Sequence, residues 1–197
     1  QQIRLMEYLN LMPVIQLVAD YTEADDIIAH VVQTRHYEGW NKIIVSSDKD
    51  FFQLCADDIS VHRPIQKKTL NKQSIIDEFK IHPKNFALAI QNEVITRGML
   101  TTKEGIHPCN YALARAIVGD KSDNLPGVRG AGLKTIAKRF PYLIREDIYE
   151  VGDIIRDCVM VGKKMKIHEN IASSEQLLKD NYRIMQLYSP NIRPINR

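Results

Sequence analysis

Val14-Ile15-Gln16-Leu17-Val18-Ala19 and Lys42-Ile43-Ile44-Val45-Ser46-Ser47 flank one helix-patterned segment, and that succession decides the fold class. Both runs are continuous and rich in β-branched residues, which predicts strands buried on both faces. Pro13 stops a preceding helix over Gln1 to Leu11, where Ile3, Leu5, Met6 and Leu9 stand at mixed helical spacing, and Asp20 ends the first run. Thr22 is placed to cap a helix whose apolar face is Ile27, Ile28, Val31 and Val32, closing near Gly39. Strand, helix and strand with so short a return make a βαβ unit, so the two strands are expected to be parallel with a right-handed crossover. In open α/β sheets, ligands sit beyond the carboxyl ends of the strands.

Acidic residues collect at both of those ends. Glu23, Asp25 and Asp26 follow the first strand, and Asp48 and Asp50 the second. Each set has an ordinary structural account. Thr22 with Asp25 resembles a capping box, acids in a first turn gain about 0.3 to 1 kcal/mol each from the helix dipole, and Asp48 and Asp50 suit a turn. A third set, Asp120 and Asp123, flanks Lys121-Ser122, where an Asx turn would explain it. Directly after Asp123 the chain reads Asn124-Leu125-Pro126-Gly127-Val128-Arg129-Gly130-Ala131-Gly132-Leu133-Lys134-Thr135. Its proline and three glycines force a turn with uncovered backbone N–H groups, and Lys134 and Thr135 open a helix. From Asn124 to Arg145 there are five bases (Arg129, Lys134, Lys138, Arg139, Arg145) and no acid, an imbalance that points to a nucleic-acid backbone.

Taken together, the three acid sets converge only if a divalent ion neutralises them, because clustered carboxylates repel one another. Oxygen ligands with no His or Cys at ligand spacing suit Mg²⁺ or Mn²⁺ rather than zinc. Two such ions about 4 Å apart can activate a water and stabilise the leaving oxygen of a phosphodiester.

The chain has 197 residues and a formal charge of +3, too weak to name a partner by itself. Cys55, Cys109 and Cys158 are odd in number and scattered, which supports neither a disulfide framework nor a zinc site. No apolar run reaches the roughly 18 residues of a membrane span. The chain opens without Met in helix-like sequence, so an upstream portion is expected to be missing. A short helix is expected at Phe51-Phe52-Gln53-Leu54, a strand over Ile59 to Ile65 and a helix over Lys72 to Phe79. Ile81-His82-Pro83-Lys84-Asn85-Phe86-Ala87-Leu88-Ala89 recurs 25 residues later as Ile106-His107-Pro108-Cys109-Asn110-Tyr111-Ala112-Leu113-Ala114, with seven of nine positions identical, and reads as a local duplication. Beyond Pro141 a helix is expected with Ile148, Val151, Ile154, Ile155 and Val159 on one side. Lys163-Lys164-Met165-Lys166 reads as a solvated face, with DNA contact as the alternative, and Ser189 to Arg197 as extended chain.

Glu23-Ala24-Asp25-Asp26, Ser47-Asp48-Lys49-Asp50-Phe51 and Gly119-Asp120-Lys121-Ser122-Asp123-Asn124-Leu125-Pro126-Gly127-Val128-Arg129-Gly130 resemble, in order and interval, the 5′-nuclease or flap endonuclease family over roughly residues 14 to 145. The bacteriophage ribonuclease H or 5′-3′ exonuclease type and the 5′-nuclease domain of bacterial DNA polymerase I are the nearest in pattern. The resemblance implies an α/β fold: a PIN-like parallel-sheet core, a helix-three-turn-helix DNA-binding module and a helical C-terminal region. Residues 1–118 would then be the C-terminal part of the core, and 119–197 the module and tail. It implies Glu23, Asp25 and Asp26 at a first metal, Asp48, Asp50 and Asp123 at a second or shared position, and Asp120 close by. All but Asp120 are expected to be catalytic. Two Mg²⁺ ions are implied, with Mn²⁺ able to substitute, and a K⁺ at the 127–132 hairpin. Gly127, Arg129, Gly130, Gly132, Lys134, Thr135 and Lys138 would grip DNA. The implied activity is 5′-3′ exonuclease or flap endonuclease cleavage of duplex or flap DNA, or of an RNA-DNA hybrid, in primer removal with replication proteins in a bacterial or phage-infected cytoplasm. Family members carry further acids and a basic helical arch before the position of Glu23. This chain is therefore expected to be a fragment or half of a split enzyme that needs an N-terminal segment or partner chain. The alternative is a non-catalytic duplex-DNA-binding module of the same family.

Overall fold

The structure, a computed structural model, describes residues 1–78, 105–161 and 165–187. Helix α1 (Gln2–Asn10) leads into residues 14–19, where the expected first strand is not formed. Ile15 is 82% and Val18 75% exposed, and no strand among the described residues pairs with them. An apolar run becomes a buried strand only when a neighbour takes its N–H and C=O groups and a second layer covers its side chains. Neither lies beside this run among the described residues. Helix α2 (Ala24–Gln33) begins at Glu23, with no side-chain cap bond. Thr22 does not cap it, because it stands one residue too early, and its hydroxyl donates to the Asp20 carbonyl at 3.2 Å. The buried face of α2 is Ala29 and Val32, with Ile27, Ile28 and Val31 half-buried beside them.

The sheet holds β1 (Lys42–Val45), β2 (Ile59–Arg63) and β3 (Lys68–Leu70) in that order. The parallel pair is β1 with β2, Lys42 opposite Ile59 and Val45 opposite His62, rather than the expected pair of 14–19 with 42–47. Residues 46–58 make the crossover, through a 3₁₀ turn at Asp50–Leu54 in which Phe51, Phe52, Gln53 and Leu54 are all buried. β1 is an edge strand and is also covered on one face only, because nothing among the described residues packs over its other face: Ile44 is buried, whereas Ile43 and Val45 are exposed. β3 returns antiparallel, Val61 opposite Leu70. It escapes sequence reading because three residues with a flanking lysine show no alternation. Helix α3 (Lys72–Glu78) follows as expected, while Phe79 and the first repeat copy, 81–89, lie outside the described residues.

The second repeat copy buries Ile106, passes through a 3₁₀ turn at Pro108–Asn110 and enters α4 (Tyr111–Val118). Buried Asn110 donates to the carbonyls of Leu143, Arg145 and Asp147 at 3.2, 3.1 and 2.9 Å, clamping the loop after a 3₁₀ turn at Pro141–Ile144. Helices α5 (Leu133–Arg139), α6 (Val151–Val161), α7 (Lys166–Ala172) and α8 (Glu175–Met185) complete the described chain. The buried face of α6 is Val151, Ile154 and Cys158, and the expected Ile148 and Val159 are exposed. Ile148 precedes the helix, and Val159 lies roughly 140° around it from Ile154. Lys163, Lys164 and residues 189–197 fall outside the described residues.

One cluster of buried side chains runs from Ala29 to Leu187. Phe52 and Tyr111, with ring centroids 5.6 Å apart, join the 3₁₀ turn after β1 to α4, and α4 packs on both α5 and α8. This cluster has members on both sides of Gly119, Ile117 before it and Val128 after it. All three cysteines are free, and burial pushes the thiols of Cys55 and Cys158 up to about 12, so neither is a thiolate near neutral pH. Among the described residues no helix is long and apolar enough to cross a membrane.

Burial also lowers the pKa of two histidines. His107 is affected by burial first and then by charges of both signs, and His168 by burial first and then by the Arg139 guanidinium. The unfolded chain protonates each imidazole near its ordinary value of about 6.5, whereas the folded chain resists until lower pH. The unfolded state therefore binds more protons below that value, and these groups make stability fall as pH falls. Asp26 and Asp50, whose carboxyl pKa values are raised, act in the opposite direction. The difference between wild type and His168→Phe isolates the histidine: on going from about pH 7.5 to about pH 5.5 the thermal midpoint of wild type should drop further than that of the variant.

Candidate metal and nucleic-acid site

The hairpin between α4 and α5 is built from local chemistry. Asp120 and Leu125 exchange backbone hydrogen bonds of 2.8 and 2.7 Å and close a loop with Asp123 at its exposed tip. Inside it the Asp120 Oδ1 accepts the Ser122 amide at 2.8 Å and also the Ser122 hydroxyl, so the Asx turn is present. Asn124, at φ 56°, takes the left-handed conformation that Asn tolerates. The chain then folds back onto α4, and the Val128 amide donates to the Ile117 carbonyl at 2.8 Å. At Gly127 that approach is so close that a Cβ would lie 1.8 Å from the Val118 carbonyl oxygen. Gly130 turns the tip at φ +85°. Gly132 is the N-cap of α5, and its carbonyl accepts the Ile136 amide at 2.9 Å. Arg129, Lys134 and Lys138 are exposed on this unit, and Thr135 is half-buried. Two helices support it from behind: Asn170 of α7 donates to the Arg129 carbonyl at 3.2 Å, and buried Asn181 of α8 donates to the carbonyls of Ala116 and Pro126 at 2.9 Å each.

Asp50, first residue of the 3₁₀ turn after β1, meets this loop. One ligand oxygen from each of Asp50, Asp120 and Asp123 lies within 4.8 Å of the others, and this is the one such group among the described residues. Arg115 reaches in from α4: its Nε donates to Asp50 Oδ1 at 3.3 Å, and an Nη pairs with Asp120 Oδ2. Asp48 holds the neighbouring backbone, its Oδ1 accepting the Asp50 amide at 2.9 Å. Burial raises the Asp50 carboxyl pKa, Arg115 pulls it back, and the charges of Asp48 and Asp123 raise it further. A half-buried set of oxygen donors with excess negative charge and no sulfur or imidazole suits a hard divalent cation. These three residues could hold one.

Glu23, Asp25, Asp26 and Asp48 lie outside that group. The first three sit at the start of α2, where the Asp26 amide donates to Asp25 Oδ1 at 2.9 Å. Burial, then the Asp25 charge, raises the Asp26 carboxyl pKa. Because residues 14–19 form no strand, these acids follow an exposed loop and not a strand end. Their helix, α2, does pack against the 3₁₀ turn that carries Asp50. Sequence reasoning missed three supporting side chains. Arg115 is the lone charge in the apolar run Tyr111 to Val118, a signal that was available. Gln53, buried behind Asp50, donates to the Asp50 and Met185 carbonyls at 2.9 Å each and accepts the Leu187 amide at 2.8 Å. Asn181 holds the hairpin. Neither amide stands out in sequence.

A small α/β sheet with carboxylates beyond β1 and a helix-turn-helix unit beside them is a PIN-like fold. Residues 1–80 match the family described as 5′-3′ exonuclease, N-terminal resolvase-like domain. The thermostable DNA polymerase I of Thermus aquaticus is 33% identical over 132 residues, 67% of this chain and 13% of that protein. DNA polymerase I of Mycobacterium tuberculosis is 32% identical over 116 residues, 59% of this chain and 10% of that protein. Among solved structures, the bacteriophage T5 flap endonuclease in a pseudo-enzyme-product complex with DNA and metal ions shares the fold with a TM-score of 0.65 at 20% identity, over 95% of this chain and 57% of that one. The T5 5′-exonuclease with bound zinc matches with a TM-score of 0.64 at 21% identity, over 95% of this chain and 60% of that one. The chain belongs to the 5′-nuclease family. It spans about an eighth of the curated polymerases and about three fifths of the T5 structures.

Proposed function

We propose that the chain is the metal- and duplex-binding part of a Mg²⁺-dependent, structure-specific 5′ nuclease that hydrolyses phosphodiesters of flap or duplex DNA, or of RNA-DNA hybrids, in primer removal. The observation that carries this reading is the adjacency of two chemistries: Asp120 and Asp123, which gather with Asp50, lie on the loop that runs directly into the basic unit of Arg129, Lys134 and Lys138. A divalent ion held there would supply Lewis-acid stabilisation of charge on phosphate oxygens. The side chains of this chain position it. Asp50 and Asp120 present oxygens from two elements, Asp48 fixes the Asp50 backbone, and the hairpin holds the duplex backbone at a set distance. Glu23, Asp25 and Asp26, on the adjoining helix, are proposed for the first of two ions, with Mn²⁺ able to replace Mg²⁺ and K⁺ at residues 127–132. Gly127, Gly130, Gly132 and Thr135 complete the grip by offering backbone and hydroxyl donors to phosphate. The test is incubation of the polypeptide carrying these residues with a 5′-flap duplex, with Mg²⁺ and with EDTA. Metal-dependent 5′ products are expected, and their absence sinks the reading. Lys134→Ala should weaken duplex binding whatever the sequence and reduce the salt slope by about one. Unchanged affinity would remove the hairpin from the DNA interface.

The exposed apolar run Val14, Ile15, Leu17 and Val18, together with exposed Ile43 and Val45 on β1, favours a second reading. In it, cleavage needs a further polypeptide that covers this face, and the 197-residue chain alone binds duplex without cutting it.

A further inference from the structure

We propose that Arg115 is a resident counter-cation of the carboxylate group, holding Asp50 and Asp120 together when no divalent ion is bound and opposing that ion when it arrives. The inference rests on the reading of the group as a divalent site. Arg115 leaves α4 with its side chain only 15% exposed. Its Nε meets Asp50 Oδ1 at 3.3 Å, one Nη meets Asp120 Oδ2, and the other donates to the Gly119 carbonyl at 3.3 Å. The guanidinium therefore crosslinks the turn after β1 to the loop after α4, which are the two segments that supply the ligands. Three carboxylates at −3 and one guanidinium at +1 leave −2, the charge that a single divalent ion cancels. A second ion at this group would meet a formal charge that is already balanced.

The guanidinium also occupies one oxygen of Asp50 and one of Asp120, while Ser122 occupies the other oxygen of Asp120. An ion seated among these carboxylates must share their oxygens with a cation in direct contact with two of them. Removing that cation strengthens ion binding and, in the ion-free protein, leaves partly buried like charges uncompensated. A purely structural arginine would behave differently, because its loss would weaken the fold equally with and without metal.

The experiment compares wild type, Arg115→Gln and Arg115→Lys in the 197-residue chain, measuring free Mn²⁺ by electron paramagnetic resonance and thermal midpoints in EDTA and in Mn²⁺. Arg115→Gln is expected to bind Mn²⁺ about tenfold more tightly than wild type, to melt lower in EDTA and to gain more from Mn²⁺. Arg115→Lys, which keeps the charge, should stay near wild type. If Arg115→Gln is unfolded in EDTA, recovery of the fold on adding Mn²⁺ upholds the proposal and failure to recover overturns it. Equal or weaker Mn²⁺ affinity in Arg115→Gln overturns it too. If folded wild type and both variants bind no Mn²⁺, the divalent reading of the group is what has failed, and this inference falls with it.

Discussion

Asp50→Asn is expected to lower metal-dependent cleavage of a 5′-flap duplex at least about 100-fold and to weaken Mn²⁺ binding at the Asp50, Asp120 and Asp123 group. Asparagine keeps the shape of the side chain and an oxygen that can still accept from Arg115 Nε, so the 3₁₀ turn and its packing should survive. What changes is charge. The group falls from −3 to −2, and with Arg115 in place the net attraction for a divalent ion is halved. Asp123→Asn, at the exposed loop tip, should reduce cleavage in the same manner with almost no change in thermal midpoint, since the residue buries little. Wild-type cleavage by folded Asp50→Asn protein would remove this group from the chemistry.

Gly127→Ala is expected to cost about 3 kcal/mol or more of folding stability in urea denaturation. The added methyl would sit 1.8 Å from the Val118 carbonyl oxygen, 2.3 Å from its carbon and 2.8 Å from the Gly119 nitrogen. All three are backbone atoms of the α4 terminus, held by the Gly119 amide bond to the Arg115 carbonyl at 2.7 Å and by the Val128 amide bond to the Ile117 carbonyl at 2.8 Å. Nothing flexible can give way, so the hairpin must lift off α4, taking Asn181's bond to the Pro126 carbonyl with it. Gly130→Ala provides the contrast. Open space surrounds its Cβ position, and only the backbone conformation at φ +85° resists, for a cost of about 1 kcal/mol. A Gly127→Ala protein as stable as Gly130→Ala would show that the hairpin does not pack on α4 as described. Both variants also separate two roles of the hairpin, because Gly130→Ala perturbs the tip proposed to meet DNA while leaving the loop with Asp120 and Asp123 in place.

Some of this architecture could be read directly. The 3₁₀ turn at Asp50–Leu54, β2, α3 and the turn from Gly119 to Gly132 all appear close to where the sequence puts them, and the Asx turn at Asp120 is as expected. The failures share a cause. Residues 14–19 have strand composition but no strand, β1 is buried on one face and not two, and Val159 points outward although its residue type suits a core. Composition describes what a segment tolerates, whereas burial depends on which neighbour arrives.

The sequence alone determined the local devices: the proline and glycines that make the hairpin, the aspartates that end β1 and follow α4, and the helical apolar pattern of α2. These depend on backbone sterics and hydrogen bonds within a few residues, so they are written where they act. Only the tertiary structure decided that Asp50 joins Asp120 and Asp123, that Arg115 bridges Asp120 to Asp50, a residue 65 positions before the arginine, and that Asn181 and Gln53 brace the hairpin and the turn. Those choices belong to the packing of α4 against the 3₁₀ turn and α8. Contacts between distant segments are set by which buried faces meet, and no local pattern encodes that.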